Sequence, residues 1–130
     1  MSTFSAANLV PGLQATFNKT ISEQESKLYA GLIQVNSQTS EDQQDTHHHH
    51  LFMIGLVGDW LDQLIPDSHA QCVNIHYEFL SSIQIQDNIE TIIELVEIDE
   101  IKHLVTYRIN CFNQSKNQVI TGQAVMLVSR

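Results

Sequence analysis

The sequence predicts an α+β domain in which a curled antiparallel sheet wraps around one long central helix. Two features of the chain carry this expectation. Between His50 and Ile65 stand Leu51, Phe52, Met53, Ile54, Leu56, Val57, Trp60, Leu61, Leu64 and Ile65. They fall on nearly every side of a helix, so burial on most faces is expected. From Gln71 to the C-terminus, four segments alternate apolar and polar residues with period two. That is the pattern of strands with one buried and one wetter face. The helix is too short, and too interrupted by Asp59 and Asp62, to span a membrane.

A length of 130 residues suits a single domain over 1–130, with a loose lead-in over 1–12 and a polar loop over 36–46. An apolar content of 42% is ordinary for a globular chain. Fifteen acidic residues against six basic ones give a formal charge of −9, which argues against nucleic acid and anionic membrane as partners. Cys72 and Cys111 both fall inside expected strands, where a role as small hydrophobes is favoured over a disulfide. The N-terminus shows no basic region followed by an apolar run, so the expected location is cytoplasmic.

In chain order, Leu13 to Phe17 alternates as a first strand. Ser22 and Glu25 have capping-box spacing, and acids in the first turn suit the helix dipole. Ile21, Leu28, Tyr29, Leu32 and Ile33 then form the expected inward face of a helix reaching about Gln34. Asn36 to Thr46 is polar and reads as an exposed loop. Asp45 or Thr46 is the expected cap of the central helix, and Pro66 ends it. Gly55 and Gly58 inside that helix suggest a close approach to its backbone. The four later strands are expected at Gln71 to Leu80, Asn88 to Ile98, Ile101 to Phe112 and Gln118 to Val128. Their hairpin-length connections make them antiparallel.

With helix and strands in this order, the chain resembles the hotdog fold. More specifically, it is similar to the MaoC-like group of (R)-specific enoyl-CoA hydratases and β-hydroxyacyl dehydratases. The resemblance runs from about Ala15 to Arg130. Phe17-Asn18-Lys19-Thr20-Ile21-Ser22 with Tyr29-Ala30-Gly31-Leu32 looks like that family's first strand and helix opening. Leu64-Ile65-Pro66, Tyr77-Glu78-Phe79-Leu80 and Gln86-Asp87-Asn88-Ile89 resemble its entry into the sheet, through a turn often written G-D. Val119 to Met126 is similar to its closing strand, commonly V-x-G-x-A. The resemblance implies an acyl-CoA or acyl-carrier-protein thioester as ligand, bound beside the helix, and no cofactor. It also implies a homodimer, or a heterodimer in which a second hotdog chain carries the catalytic motif.

That motif, D-x-N-P-x-H after the first helix, does not carry over. The corresponding stretch is Gln34-Val35-Asn36-Ser37-Gln38-Thr39-Ser40. Asn36 can take the place of the motif's Asn. This takes a one-residue deletion and puts the acid on Gln34 and the imidazole on Thr39; without the deletion they fall on Val35 and Ser40. None of these titrates near neutrality. Hydration of an enoyl thioester needs a base for the water and an acid for the carbon, each worth roughly 10²–10⁴-fold. The family's His-Gly pair before the central helix, whose backbone N–H helps hold the thioester carbonyl, is represented by His49-His50-Leu51. Asn36, His49 and Leu51 are therefore the residues that the resemblance places at the substrate.

Replacement groups are the remaining route to chemistry. The run His47-His48-His49-His50 supplies groups that titrate near neutrality, and His50 is the leading candidate for acid or base. His47 and His50 can meet on one helical turn, but a metal site wants three or four ligands, so none is expected. The simpler reading of the run is a solvated helix start. Asp59 is the alternative: hotdog thioesterases resemble this arrangement, with an acid nine residues after the helix-opening histidine, here His50. Asp59 and Asp62 otherwise mark where the helix meets solvent or a partner. His76 and His103 read as ordinary strand residues, and Trp60, Tyr77 and Phe79 as core or acyl-tunnel lining.

Overall fold

The computed structural model describes residue 4 and residues 8–33, 41–66 and 69–129, with the backbone alone at 29–33 and 41–48. The elements run β1 (Gln14–Thr20), α1 (Glu23–Ile33), α2 (Glu41–Gln63), β2 (His69–Phe79), β3 (Asn88–Asp99), β4 (Leu104–Phe112) and β5 (Gln118–Ser129). The five strands form one sheet in the order β1-β3-β4-β5-β2, and every pairing is antiparallel. The α+β architecture expected from the sequence is thus present. No described helix is long and apolar enough to cross a membrane.

Period two in the strands becomes one closed face. Ile89, Thr91, Ile93 and Leu95 of β3 are buried, as are Val105, Tyr107, Ile109 and Cys111 of β4 and Ile120, Ala124 and Met126 of β5. Against them α2 sets Met53, Val57 and Leu61 at four-residue spacing, with Leu64 just beyond its end. Residues four apart share a helix face, so this row is the helix's core stripe. Burying each such side chain is worth about 1.5–3 kcal/mol. The lead-in also reaches this core: Phe4 is buried and stacks on Tyr107, with ring centroids 6.3 Å apart.

Several expectations are corrected. Helix α2 begins at Glu41, so Glu41 to Thr46 belong to a helix and not to the polar loop, and Asp45 and Thr46 are not its cap. Polarity marks exposure in a first helical turn as readily as in a loop, and acids there suit the dipole. The rest of the expected loop, 36–40, lies outside the described residues. Nor is α2 buried on most faces, since Leu51, Gly55, Asp59 and Asp62 are exposed. One sheet covers one side of a helix, and the described residues supply one sheet. Gly55 and Gly58 have nothing within 4 Å of where a Cβ would stand, so no close approach occurs there among the described residues. Leu28 is 69% exposed, and Ser26 takes the inward place on α1. His103 sits in the turn between β3 and β4 at φ 59°, not on a strand.

Candidate functional site

The described half of the site gathers where the N-terminal part of α2 meets α1 and the segment between β2 and β3. Helix α1 is fixed by the capping box. The Glu25 N–H donates to Ser22 Oγ at 3.0 Å, and the Ser22 N–H reaches back to Glu25 Oε1 at 3.4 Å. Lys19 of β1 pairs with Glu25 Oε2 at 2.6 Å and holds that carboxyl below its ordinary range. The same ammonium lies 5.9 Å from the centre of the Phe52 ring, and Phe17 stacks on Trp60 at 4.6 Å. These contacts clamp α2 to β1, so α1 and α2 approach each other in one orientation.

In that approach His49 becomes the hub. It is 2% exposed, yet both ring nitrogens are bonded. Nδ1 lies 2.6 Å from the Ile83 carbonyl oxygen, which can only accept, so Nδ1 carries a proton. In the neutral ring, Nε2 then accepts from the Ser26 hydroxyl, 2.6 Å away and also buried. The chain Ser26–His49–Ile83 ties α1, α2 and the segment after β2 into one unit.

His50, the next residue, is also buried and turns toward β2. Its Nε2 donates to the Ser81 carbonyl oxygen at 2.8 Å, and its ring stacks on Phe79 with centroids 4.6 Å apart. The nearby turn is held by Asp87, whose buried carboxylate accepts from the Gln84 N–H at 2.8 Å and the Gln114 amide at 3.0 Å. Gln86 before it has φ 74°, the left-handed conformation that favours glycine. This is where the resembling family writes G-D.

A second feature runs along the other side of α2. An open groove of about 290 Å³ lies between α2 and β2, with Ile54, Leu61, Ile75 and Met126 as apolar walls and Asp59 and Asp62 along one side. Cys72, a free and exposed thiol, lines it as well. Small-molecule sites start at roughly 300 Å³, so the groove is at the low end of that class. Beyond it, β2 is a margin strand with Val73, Ile75 and Phe79 exposed, Phe79 by 46%. A bulge between Cys72 and Asn74 twists this margin.

Of the residues singled out in the sequence, the structure places His49 and His50 side by side within α2, both buried, with Leu51 exposed beside them. It places Asp59 apart from them, on the groove. Asn36 and the whole stretch from Gln34 to Ser40 lie outside the described residues, as do the side chains of His47 and His48. No group of three metal-ligating side chains forms among the described residues. Ser26 escaped the sequence reading because a serine on a helix face carries no signal until its partner 23 residues away is known. Arg108 faces Glu94 across the strands at 3.6 Å and is spent on that pair.

No family model matches the chain, and no curated protein matches it by sequence. Solved structures do match. The (R)-hydratase from A. caviae involved in PHA biosynthesis superposes with a TM-score of 0.77 at 20% identity, over 93% of this chain and 98% of that one. One chain of the ChsH1–ChsH2 complex from Mycobacterium tuberculosis gives 0.71 at 16% identity, over 93% and 98%. A point mutant of the fluoroacetyl-CoA-specific thioesterase FlK, in complex with fluoroacetate and CoA, gives 0.68 at 13% identity, over 92% and 94%. The chain therefore has the hotdog fold, shared by hydratases and thioesterases alike.

Proposed function

We propose that this chain is an acyl-thioester-binding protein of the MaoC-like hydratase and dehydratase kind. The observation that supports this best is the groove between α2 and β2, an open and mainly apolar trough on a hotdog scaffold. A hydrocarbon tail is suited to Ile54, Leu61, Ile75 and Met126. In this reading His49 and Leu51, both on α2, lie toward the thioester end, and Asn36 keeps only the substrate role that the resemblance implies.

Turnover is a separate question from binding. The positions that resemble the family's proton-transfer pair hold residues that do not titrate near neutrality, so any hydration falls to His50. Purified protein offered crotonyl-CoA, with loss of the enoyl absorbance followed, tests this together with calorimetric binding of butyryl-CoA. Hydration abolished in His50→Gln identifies His50 as the acid or base. Butyryl-CoA binding without hydration assigns a binding subunit, as in a heteromeric dehydratase, and a motif-bearing hotdog chain should then co-purify. If neither thioester binds, the proposal is wrong.

Asp59 supports a second reading, because its exposed carboxylate lines the groove. A thioesterase using Asp59 must release free CoA from a panel of acyl-CoAs and lose that release in Asp59→Asn. Unchanged release in the variant removes Asp59 from the mechanism.

We further infer that two copies pair through the open margin of β2. Val73, Ile75 and Phe79 are apolar and exposed there, and the outer face of α2 beside them offers open space at Gly55 and Gly58. An unpaired margin strand is a ready template for another strand.

A further inference from the structure

The last two turns of α2 concentrate negative potential that the described residues do not offset. Backbone dipoles leave the C-terminal end of a helix negative, so basic side chains are favoured there and acidic ones are not. Helix α2 has no basic residue in its last turn and carries Asp62 in it, with Asp59 three residues before. At that spacing the two carboxylates are neighbours on the helix surface, where like charges repel. Neither is compensated. Lys19 is paired with Glu25, Lys27 with Glu23 and Arg108 with Glu94, and no ion pair among the described residues reaches Asp59 or Asp62.

Both acids line the groove between α2 and β2, together with Ile54, Leu61, Ile75 and Met126. Both are also exposed, so a molecule lying in the groove meets them. A metal ion does not suit the place. Its site wants three or four ligands, and no group of three metal-ligating side chains forms among the described residues. Apolar walls beside two unanswered carboxylates instead complement a ligand with a hydrocarbon body and one positive group. A plain acyl chain leaves the carboxylates as they are, and an acidic one adds a third negative charge. Position along the helix says where the positive group belongs. At 1.5 Å per residue, Asp59 and Asp62 stand about 12 and about 17 Å along α2 from Leu51, well away from the thioester end.

We propose, resting on the thioester-binding reading above, that Asp59 and Asp62 are specificity residues that select an acyl chain carrying an ammonium group far from its thioester. The preferred ligand is then a cationic acyl thioester, not a plain one. Calorimetry compares 8-aminooctanoyl-CoA with octanoyl-CoA, at low and at molar salt, on wild type and on the double variant Asp59→Asn with Asp62→Asn. At low salt the amino thioester should bind wild type about fivefold tighter than octanoyl-CoA. Molar salt screens exposed charges and should bring that ratio close to unity. The double variant should do the same at low salt. Both positions are exposed, so its melting temperature should match wild type; if it does not fold, the salt comparison on wild type decides. Equal binding of the two thioesters to wild type at low salt, or a preference that survives molar salt or the double variant, overturns the assignment while leaving thioester binding intact. Failure of both to bind overturns the thioester reading itself, and this inference with it.

Discussion

The two sides of α2 differ in what they require from outside the chain. Its inner side, with Met53 and Val57, meets the buried rows of β3 and β4. Its outer side, with Gly55, Asp59 and Asp62, borders a groove and an apolar margin that the described residues leave open. The first side is self-sufficient and sets stability. The second contributes little to holding the monomer together, and is therefore where a ligand or a second copy can act without disturbing the fold.

Paired substitutions offer the largest test of that contrast. Ile109→Ala, on the fully buried face of β4, should cost about 2–5 kcal/mol in urea unfolding. Ile75→Ala, on the open margin, should change monomer stability by no more than about 0.5 kcal/mol at low protein concentration. Comparable losses at both positions would show that the margin is part of the core after all.

High pH should attack the closed side selectively. Burial pushes the Cys111 thiol from 9.0 up to about 11 and the Tyr107 phenol from 10.0 up to about 12. A folded pKa above the unfolded one means that the folded state holds the proton more tightly. Its contribution is complete below pH 9 and is lost as pH rises through 11 to 12. Melting temperatures measured across that range should fall progressively, and Cys111→Ala should remove the lower part of the decline. A flat profile would contradict the depth of burial assigned to both groups.

Smaller effects sharpen the boundary between the two sides. Ser26→Ala leaves the buried Nε2 of His49 without its donor and should cost about 1–3 kcal/mol. Were His49 solvated instead, circular dichroism melts of this variant would match wild type. Gln86→Gly relieves a left-handed backbone at an exposed position and should stabilise by about 1 kcal/mol. Ile75→Lys should leave the monomer nearly as stable while weakening self-association, read by sedimentation. Unchanged sedimentation would exclude the β2 margin as the pairing surface.

Much of this fold is legible in the sequence because period and spacing are local. Ile89, Ile93 and Leu95 alternate with glutamates, and they line one face as that alternation requires. Ser22 and Glu25 form the capping box that their spacing announces. The start of α2 was not legible, because Glu41 to Thr46 carries no apolar row to mark its phase. At the site, the four histidines advertise themselves by composition, yet composition says nothing about direction. Ser26, Ile83, Ser81 and Phe79, which decide what His49 and His50 touch, lie 23 to 34 residues away in the chain.

The sequence alone determined that one apolar helix packs with an antiparallel sheet, and that the acid and imidazole of the resembling family's motif have no counterpart at the matching positions. Both follow from residue identity and spacing, which need no partner to be read. Only the tertiary structure decided that α2 is covered on one side and that His49 is spent between Ser26 and Ile83. Those outcomes depend on which distant backbone comes to rest against a side chain, and hydrogen bonds and burial are properties of pairs, not of single residues.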